Sequence, residues 1–367
     1  MNMHRVAIVF GTRPEAIKLA PVAHALGLHP DIKTTIINAG QHESLMPTIM
    51  SQFGVTIHEH LRVLEPGQPL GLLGAKLLAM LTQTLSNLKP DFVIVQGDTL
   101  TAQMGAMAAF YLGIPIGHVE AGLRTYDTMS PFPEESSRRI IGLMATLHFA
   151  ATPGAAANLH RERVSGAIEV TGNPVVDALM RIMHEIPSHD QKKSGFRIVA
   201  TIHRRENHPY LDDIFGALAD LANDPGTEVI IPVHANPMVR DAADRILVPS
   251  GVKTVAPLDY MEWLSLMQTA DLLISDSGGI QEEAPVMGIP LLIARDSTER
   301  PEVVESGHAF LVGHDREKMT SMARAARAGT LRFSPQGSPF GSGDAGQQIA
   351  RSVAQFLSGV GVMEALS

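Results

Sequence analysis

Three carboxylates in this chain sit just after apolar runs, where they could move protons on a bound ligand. Asp98 follows FVIVQ at Phe92–Gln96, Glu120 ends the run that starts at Ile114, and Glu134 lies in PFPEE. Carboxylates gathered in one place push one another's proton affinities apart, so that one can serve as base and another as acid. Two of them also have a plainer reading. Asp98 could cap the helix that begins near Thr99, and Glu134 with Glu135 could complement a helix dipole.

The cations are concentrated elsewhere. Thr201–Asn207 reads TIHRREN, overlapping the end of the strand-like run Arg197–Ile202 and continuing past it. Forked guanidinium donors beside a histidine suit a diphosphate, although Arg204 and Arg205 could instead pair with Glu206 or neighbouring acids. His234 follows Glu228–Val233 and could be purely structural. After DLLISD comes Ser277-Gly278-Gly279, where two glycines clear space for a phosphate and Ser277 can cap a helix. Glu282 and Glu283 follow one turn later, where a carboxylate can accept two ribose hydroxyls, and Arg300 in TERPE adds a further cation. The first turn, Gly11-Thr12-Arg13-Pro14-Glu15 after Val6–Phe10, has the same strand, turn and helix layout. Neither turn is the G-x-G-x-x-G of a dinucleotide fold or a Walker loop. Trp263 could stack on a base, though a lone Trp on an amphipathic helix is more often core.

The elements that must hold these residues alternate along the chain. Strand-like runs Val6–Phe10, Thr34–Asn38, Phe92–Gln96, Ile114–Glu120, Leu147–Ala151 and Ile168–Thr171 are separated by helix-like stretches. A second series runs Arg197–Ile202, Glu228–Val233, Val252–Ala256, Leu272–Ser275, Leu291–Ala294 and Phe310–Val312. Such alternation predicts parallel βαβ units, whose ligands bind beyond the carboxyl ends of the strands. A polar hinge is expected at Glu185–Gly195, and the apolar-periodic Ile349–Leu357 could pack back on the first domain.

Composition narrows the function classes. The 367 residues suffice for two domains, with 45% hydrophobic and 18% charged residues. With 29 Lys+Arg against 38 Asp+Glu, the net charge of −9 disfavours nucleic acid and anionic membrane as partners. The sequence has 0 cysteines, which excludes disulfides, thiol catalysis and Cys-ligated metals. The opening residues are too short an apolar run for a signal peptide, and no stretch reaches the ~18–20 apolar residues of a membrane span. A cytoplasmic location is expected.

Taken together, FGTRPEAIKLAP (10–21), GDT (97–99), GHVEAGLRT (117–125), PEE (133–135), TGN (171–173), HRREN (203–207), PVH (232–234), DSGGIQEEA (276–284) and TERPE (298–302) resemble the non-hydrolysing UDP-N-acetylglucosamine 2-epimerases. The resemblance spans nearly the whole chain. It implies an α/β fold of two Rossmann-like domains in a glycosyltransferase-B-like architecture, with a UDP-sugar cleft between them. The expected division is 1–172 plus 347–367, with a C-terminal crossover helix, and 173–346 for the nucleotide-binding domain.

The implied reaction interconverts UDP-N-acetylglucosamine and UDP-N-acetylmannosamine without a cofactor or metal. UDP is eliminated with the carbon-2 proton, giving 2-acetamidoglucal, and then adds back with the opposite configuration at that carbon. By motif, Asp98, Glu120 and Glu134 are the acid/base carboxylates, and His203 assists the departing UDP. Arg13, Lys18, Ser277, Gly278, Gly279, Glu283 and Arg300 match nucleotide-binding positions. Leu258 stands at a uracil-side position often filled by Gln, and Trp263 replaces a Phe. A second, activating UDP-N-acetylglucosamine site in bacterial members would here involve Gln41, His42, Gln68, Arg205 and His234. A homodimer and a role in supplying cell-surface polysaccharide are also expected.

Three alternatives stand beside this reading. A hydrolysing 2-epimerase would release free sugar and UDP, and those enzymes differ at the first turn. A glycosyltransferase of the same architecture would need an acceptor groove and a single base. A non-catalytic nucleotide-sugar sensor would not need three carboxylates.

Overall fold

The computed structural model describes residues 3–40, 50–63, 65, 67–186, 195–334 and 337–359. It divides into two compact units, Met1–Ala178 with Phe340–Ser367, and Leu179–Pro339. In the first unit the strands are β1 (His4–Phe10), β2 (Ile32–Asn38), β3 (Glu59–His60), β4 (Phe92–Gln96), β5 (Ile116–Ala121), β6 (Leu147–Ala150) and β7 (Ala167–Val170). They form one sheet in the order β3-β2-β1-β4-β5-β6-β7, every pair parallel. β4 and β5 are buried along their whole length, which explains the apolar run Phe92–Val95 and leaves Gln96, His118 and Glu120 as buried polar groups.

Helices cover the sheet through periodic apolar stripes. In helix Leu70–Leu88 the buried Leu73, Leu77, Leu81 and Leu85 recur every fourth residue. Helix Leu100–Tyr111 starts where Thr99 accepts the Ala102 N–H at 3.0 Å. The C-terminal helix Ala345–Leu357 packs on helix Arg13–Gly27. The Phe356 ring lies 5.4 Å from that of Phe92. The unit boundaries fall a few residues from the expected 172/173 and 346/347, and local bonding explains why. Asn173 N–H donates to the Phe340 carbonyl at 2.7 Å. Asp177 accepts from Ala345 and Gly346 N–H at 3.2 and 2.8 Å, so both crossings are stitched into the first unit.

The second unit contains β8 (Phe196–Thr201), β9 (Thr227–Pro232), β10 (Lys253–Val255), β11 (Leu272–Ser275), β12 (Leu291–Ile293) and β13 (Ala309–Leu311). Their order is β10-β9-β8-β11-β12-β13, again parallel throughout. One core gathers Ile198, Phe215, Leu218, Val229, Leu272 and Leu292. In each sheet the strand order reverses once, between β1 and β4 and between β8 and β11. Loops at such a reversal diverge to opposite faces and leave a crevice at the strands' carboxyl ends.

All the strands expected from sequence are present within a residue or two, and β3 is an addition. It pairs with β2 through only Ile37↔Glu59 and Asn38↔His60. Most of the expected hinge, residues 187–194, lies outside the described residues.

Candidate active site

In the first unit the carboxylates are set at the ends of β4 and β5. Glu120 sits at a register shift in β5 between Val119 and Ala121, with φ +62. A bulge of this kind re-aims one side chain, and a non-glycine residue at positive φ is a strained feature typical of functional sites. Glu120 is 5% exposed as a residue, and both oxygens of its carboxylate are engaged. Lys18 Nζ approaches its two oxygens at 2.7 and 2.8 Å. Gln96 Nε2 donates to Oε2, and Asn173 Nδ2 donates to Oε1 at 3.4 Å.

Asp98 follows Gly97, whose φ of +68 suits a residue without a side chain. It is not a helix cap, because Thr99 takes that role. Its Oδ2 instead accepts from Arg138, with Nε at 3.0 Å and Nη2 closer. Arg138 also reaches Glu135 at 3.2 Å. Glu135 is 0% exposed and accepts Thr125 N–H at 3.0 Å and Tyr126 N–H at 3.1 Å. The adjacent glutamates therefore differ. Glu135 fastens the loop after β5, while Glu134 Oε2 is buried and has no hydrogen-bond partner among the described residues.

Arg13 opens helix Arg13–Gly27 and is half-buried. His118 is buried in β5, and its Nε2–H donates to the Gly97 carbonyl at 2.8 Å. Burial pushes its pKa down to about 4 against the opposing effect of this bond, so the ring is neutral near pH 7.

In the second unit Asp276 is the organising carboxylate at 0% exposure. It accepts His203 N–H at 3.0 Å, Arg204 N–H at 2.9 Å and Asn207 Nδ2–H at 2.9 Å. The loop after β8 is thereby fixed to the end of β11. His203 Nδ1 lies 3.5 Å from Asp276 Oδ1, and 38% of its side chain is open to solvent. Desolvation lowers its pKa from the ordinary value; Asp276 opposes this, and Arg204 and His234 add to it. The His203 and His234 rings stack 6.0 Å apart.

Helix Gly278–Met287 begins beside two guanidinium groups. A Cβ on Gly278 would stand 2.7 Å from Arg300 Nη1 and 3.2 Å from Arg204 Nη2. A larger residue here would force both cations away from the start of this helix, where an anion would be held. Arg300 is held by Glu282 and Glu299, each at 2.6 Å. Ser277 makes no side-chain cap, contrary to the sequence expectation. Glu282 is committed to Arg300, which leaves Glu283, held by the Tyr260 hydroxyl at 3.1 Å, as the ribose candidate. Glu206 is bound to Arg295 at 2.9 Å, and Arg204 pairs with a neighbouring acid, Glu299, at 3.7 Å, so the plainer reading holds for Arg204 through Glu299.

The remaining candidates are more scattered. Leu258 lines a cavity of about 530 Å³ with Ile230, Val255, Met261 and Leu266. Trp263 is half-buried on the helix Tyr260–Met267 that follows Leu258. Gln68 is half-buried, with Oε1 lacking a partner among the described residues. Arg205 and His234 are exposed, and Gln41 and His42 lie outside the described residues. Sequence reasoning did not single out Glu15, Gln96, Arg138, Asn173 or Asp276. Among the described residues no group of three or more His, Asp or Glu is placed to hold a metal ion.

The class is thus a protein of two parallel α/β units, with carboxylates at the strand ends of one and cations around a helix N-terminus in the other. The family model for UDP-N-acetylglucosamine 2-epimerase matches residues 24–354. The chain is 41% identical to the UDP-N-acetylglucosamine 2-epimerase of Escherichia coli K12, over 86% of this chain and 88% of that protein. It is 37% identical to that of Bacillus subtilis, over 96% of each. Its fold matches the crystal structure of UDP-GlcNAc 2-epimerase from Neisseria meningitidis bound to UDP-GlcNAc. That match has a TM-score of 0.89 and 36% identity, and covers 96% of this chain and 100% of that one. The chain belongs to the UDP-N-acetylglucosamine 2-epimerase family.

Proposed function

We propose that the protein epimerises carbon 2 of UDP-N-acetylglucosamine by eliminating UDP and adding it back, without hydrolysis. The observation that carries this reading is the division of chemistry between the units. Elimination needs a base for a weakly acidic C–H and stabilisation of a departing diphosphate. The first unit supplies Asp98, Glu120 and Glu134. The second supplies His203, Arg204, Arg300 and the N–H groups at Gly278 and Gly279.

In this mechanism a carboxylate takes the carbon-2 proton as the bond from carbon 1 to the diphosphate oxygen breaks. The electron pair released at carbon 2 forms the double bond of 2-acetamidoglucal, and UDP leaves with its negative charge. UDP then adds to carbon 1, and carbon 2 receives a proton on the opposite face. Glu134 keeps an oxygen without a partner, whereas Asp98 and Glu120 are gripped by Arg138 and Lys18. We assign the free oxygen of Glu134 to proton exchange at carbon 2. Asp98 and Glu120 complete the acid/base set, and His203 donates to the leaving diphosphate. Arg13, Ser277, Gly278, Gly279, Glu283 and Arg300 hold the nucleotide.

A homodimer belongs to the same proposal. Leu72, Phe110, Tyr111 and Leu143, each more than half exposed, support it. They lie on helices Leu70–Leu88, Leu100–Tyr111 and Glu134–Met144, the second of which packs on both others. A cytoplasmic location and the supply of a polysaccharide precursor rest on the family resemblance. The second, activating ligand at Gln41, His42, Gln68, Arg205 and His234 rests on it as well.

The test is incubation with UDP-N-acetylglucosamine and no acceptor. UDP-N-acetylmannosamine at a fixed equilibrium ratio supports the reading. Free N-acetylmannosamine accumulating with UDP would show a hydrolysing enzyme, and absence of any product would point to a transferase or a sensor.

A further inference from the structure

We infer that Glu15 is a positioning residue for Asp98, tying the turn after β1 to the turn after β4 at the reversal of the first sheet. Its Oε2 accepts the Gly11 N–H at 3.1 Å and the Thr12 N–H at 2.7 Å. Its Oε1 accepts the Thr99 hydroxyl at 2.7 Å, from a residue 84 positions away. The residue is 1% exposed. Starting helix Arg13–Gly27 would need only the bond from Thr12. The second oxygen instead reaches a different strand's loop and ends on the residue next to Asp98.

Thr99 passes this constraint on. Its hydroxyl oxygen also accepts the Ala102 N–H at 3.0 Å, so one side chain joins Glu15 to the start of helix Leu100–Tyr111. On the other flank of Asp98, His118 holds the Gly97 carbonyl at 2.8 Å. Asp98 therefore stands between two residues that are each fastened to buried side chains. Arg138 then grips Oδ2 on a backbone that is already set. Glu15 acts through Thr99 and has no part in proton transfer. The inference rests on the assignment of Asp98 to acid/base work.

The test compares Glu15→Ala and Thr99→Val with Glu15→Gln and Thr99→Ser, using Asp98→Asn as reference. Turnover, KM for UDP-N-acetylglucosamine and UDP affinity by calorimetry are measured for each. Misplacing a reacting group by about 1 Å costs on the order of a hundredfold, so Thr99→Val should lose roughly ten- to hundredfold in kcat. Its UDP affinity should stay near that of the parent. Thr99→Ser and Glu15→Gln, which keep polar contacts at both ends of the link, should recover most of the loss. If Glu15→Ala does not fold, Thr99→Val decides alone, since it leaves both backbone bonds to Glu15 in place. Normal kcat in Thr99→Val beside an inactive Asp98→Asn would overturn the role of Glu15. An active Asp98→Asn would instead remove the acid/base assignment, and the inference with it.

Discussion

Lys18 of helix Arg13–Gly27 and Glu120 near the end of β5 form a buried ion pair, with Nζ 2.7 Å from Oε1 and side chains 8% and 3% exposed. Sequence placed Lys18 among the nucleotide ligands, whereas the structure puts its ammonium on Glu120. Removing one partner leaves an uncompensated buried charge, which typically costs about 3–5 kcal/mol. Lys18→Met should lose that much in denaturant unfolding and should also lose turnover. If Lys18 serves Glu120, UDP affinity by calorimetry should change little.

Glu134 and Glu135 separate chemistry from architecture. Glu134→Gln removes the oxygen that has no partner, so turnover should fall by about a hundredfold or more with the melting temperature nearly unchanged. Glu135→Gln disturbs bonds to Thr125, Tyr126 and Arg138, and should cost about 1–3 kcal/mol of stability. Thermal melting and initial rates on both variants check this, and the reverse pattern would exchange the two roles.

The second-unit loop allows a similar separation. His203 is fixed through its backbone N–H to Asp276, so its side chain can be removed without releasing the loop. Deleting one preorganised donor at a developing negative charge costs about 3–4 kcal/mol of barrier. His203→Ala should therefore lose roughly that much in kcat, with a smaller change in UDP affinity. Near-normal turnover would pass the leaving-group role to Arg204 and Arg300.

Stability should carry a pH signature from Glu15. Burial raises its pKa from 4.5 to about 7, against the bonds from Thr99, Thr12 and Gly11. With the folded value above the unfolded one, its contribution is complete below about 4.5 and is lost as pH rises through about 7. The swing is on the order of 3 kcal/mol. Asp177, raised to about 6, acts in the same direction. His118, lowered to about 4, acts in the opposite one. The diagnostic quantity is therefore the unfolding free energy of the parent minus that of Glu15→Gln, which should fall between pH 4.5 and 7. A flat difference would contradict the buried, proton-binding state of Glu15.

How much of this was legible in the sequence depends on the range of the interactions. Strands such as Phe92–Gln96 and Leu272–Ser275 declare themselves through apolar runs buried on both faces. β3 does not, because Glu59 and His60 are polar and pair only through the backbone. Taking the polar residue after each strand pointed to Asp98, Glu120, His203 and Ser277, the residues on which the proposal rests. It missed Arg138, which meets Asp98 from 40 residues away, and Asn173, which meets Glu120 from 53. Glu15 did leave a local trace in Thr12-x-x-Glu15, a helix-start pattern, but the bond to Thr99 exists only after β1 and β4 are paired.

Proton NMR of turnover in deuterated water tests the central claim most directly. If a carboxylate removes the carbon-2 proton and solvent restores it, deuterium should appear at carbon 2 of the UDP-N-acetylmannosamine formed. It should appear in recovered UDP-N-acetylglucosamine as well. Product that keeps its original hydrogen at carbon 2 would contradict elimination and re-addition.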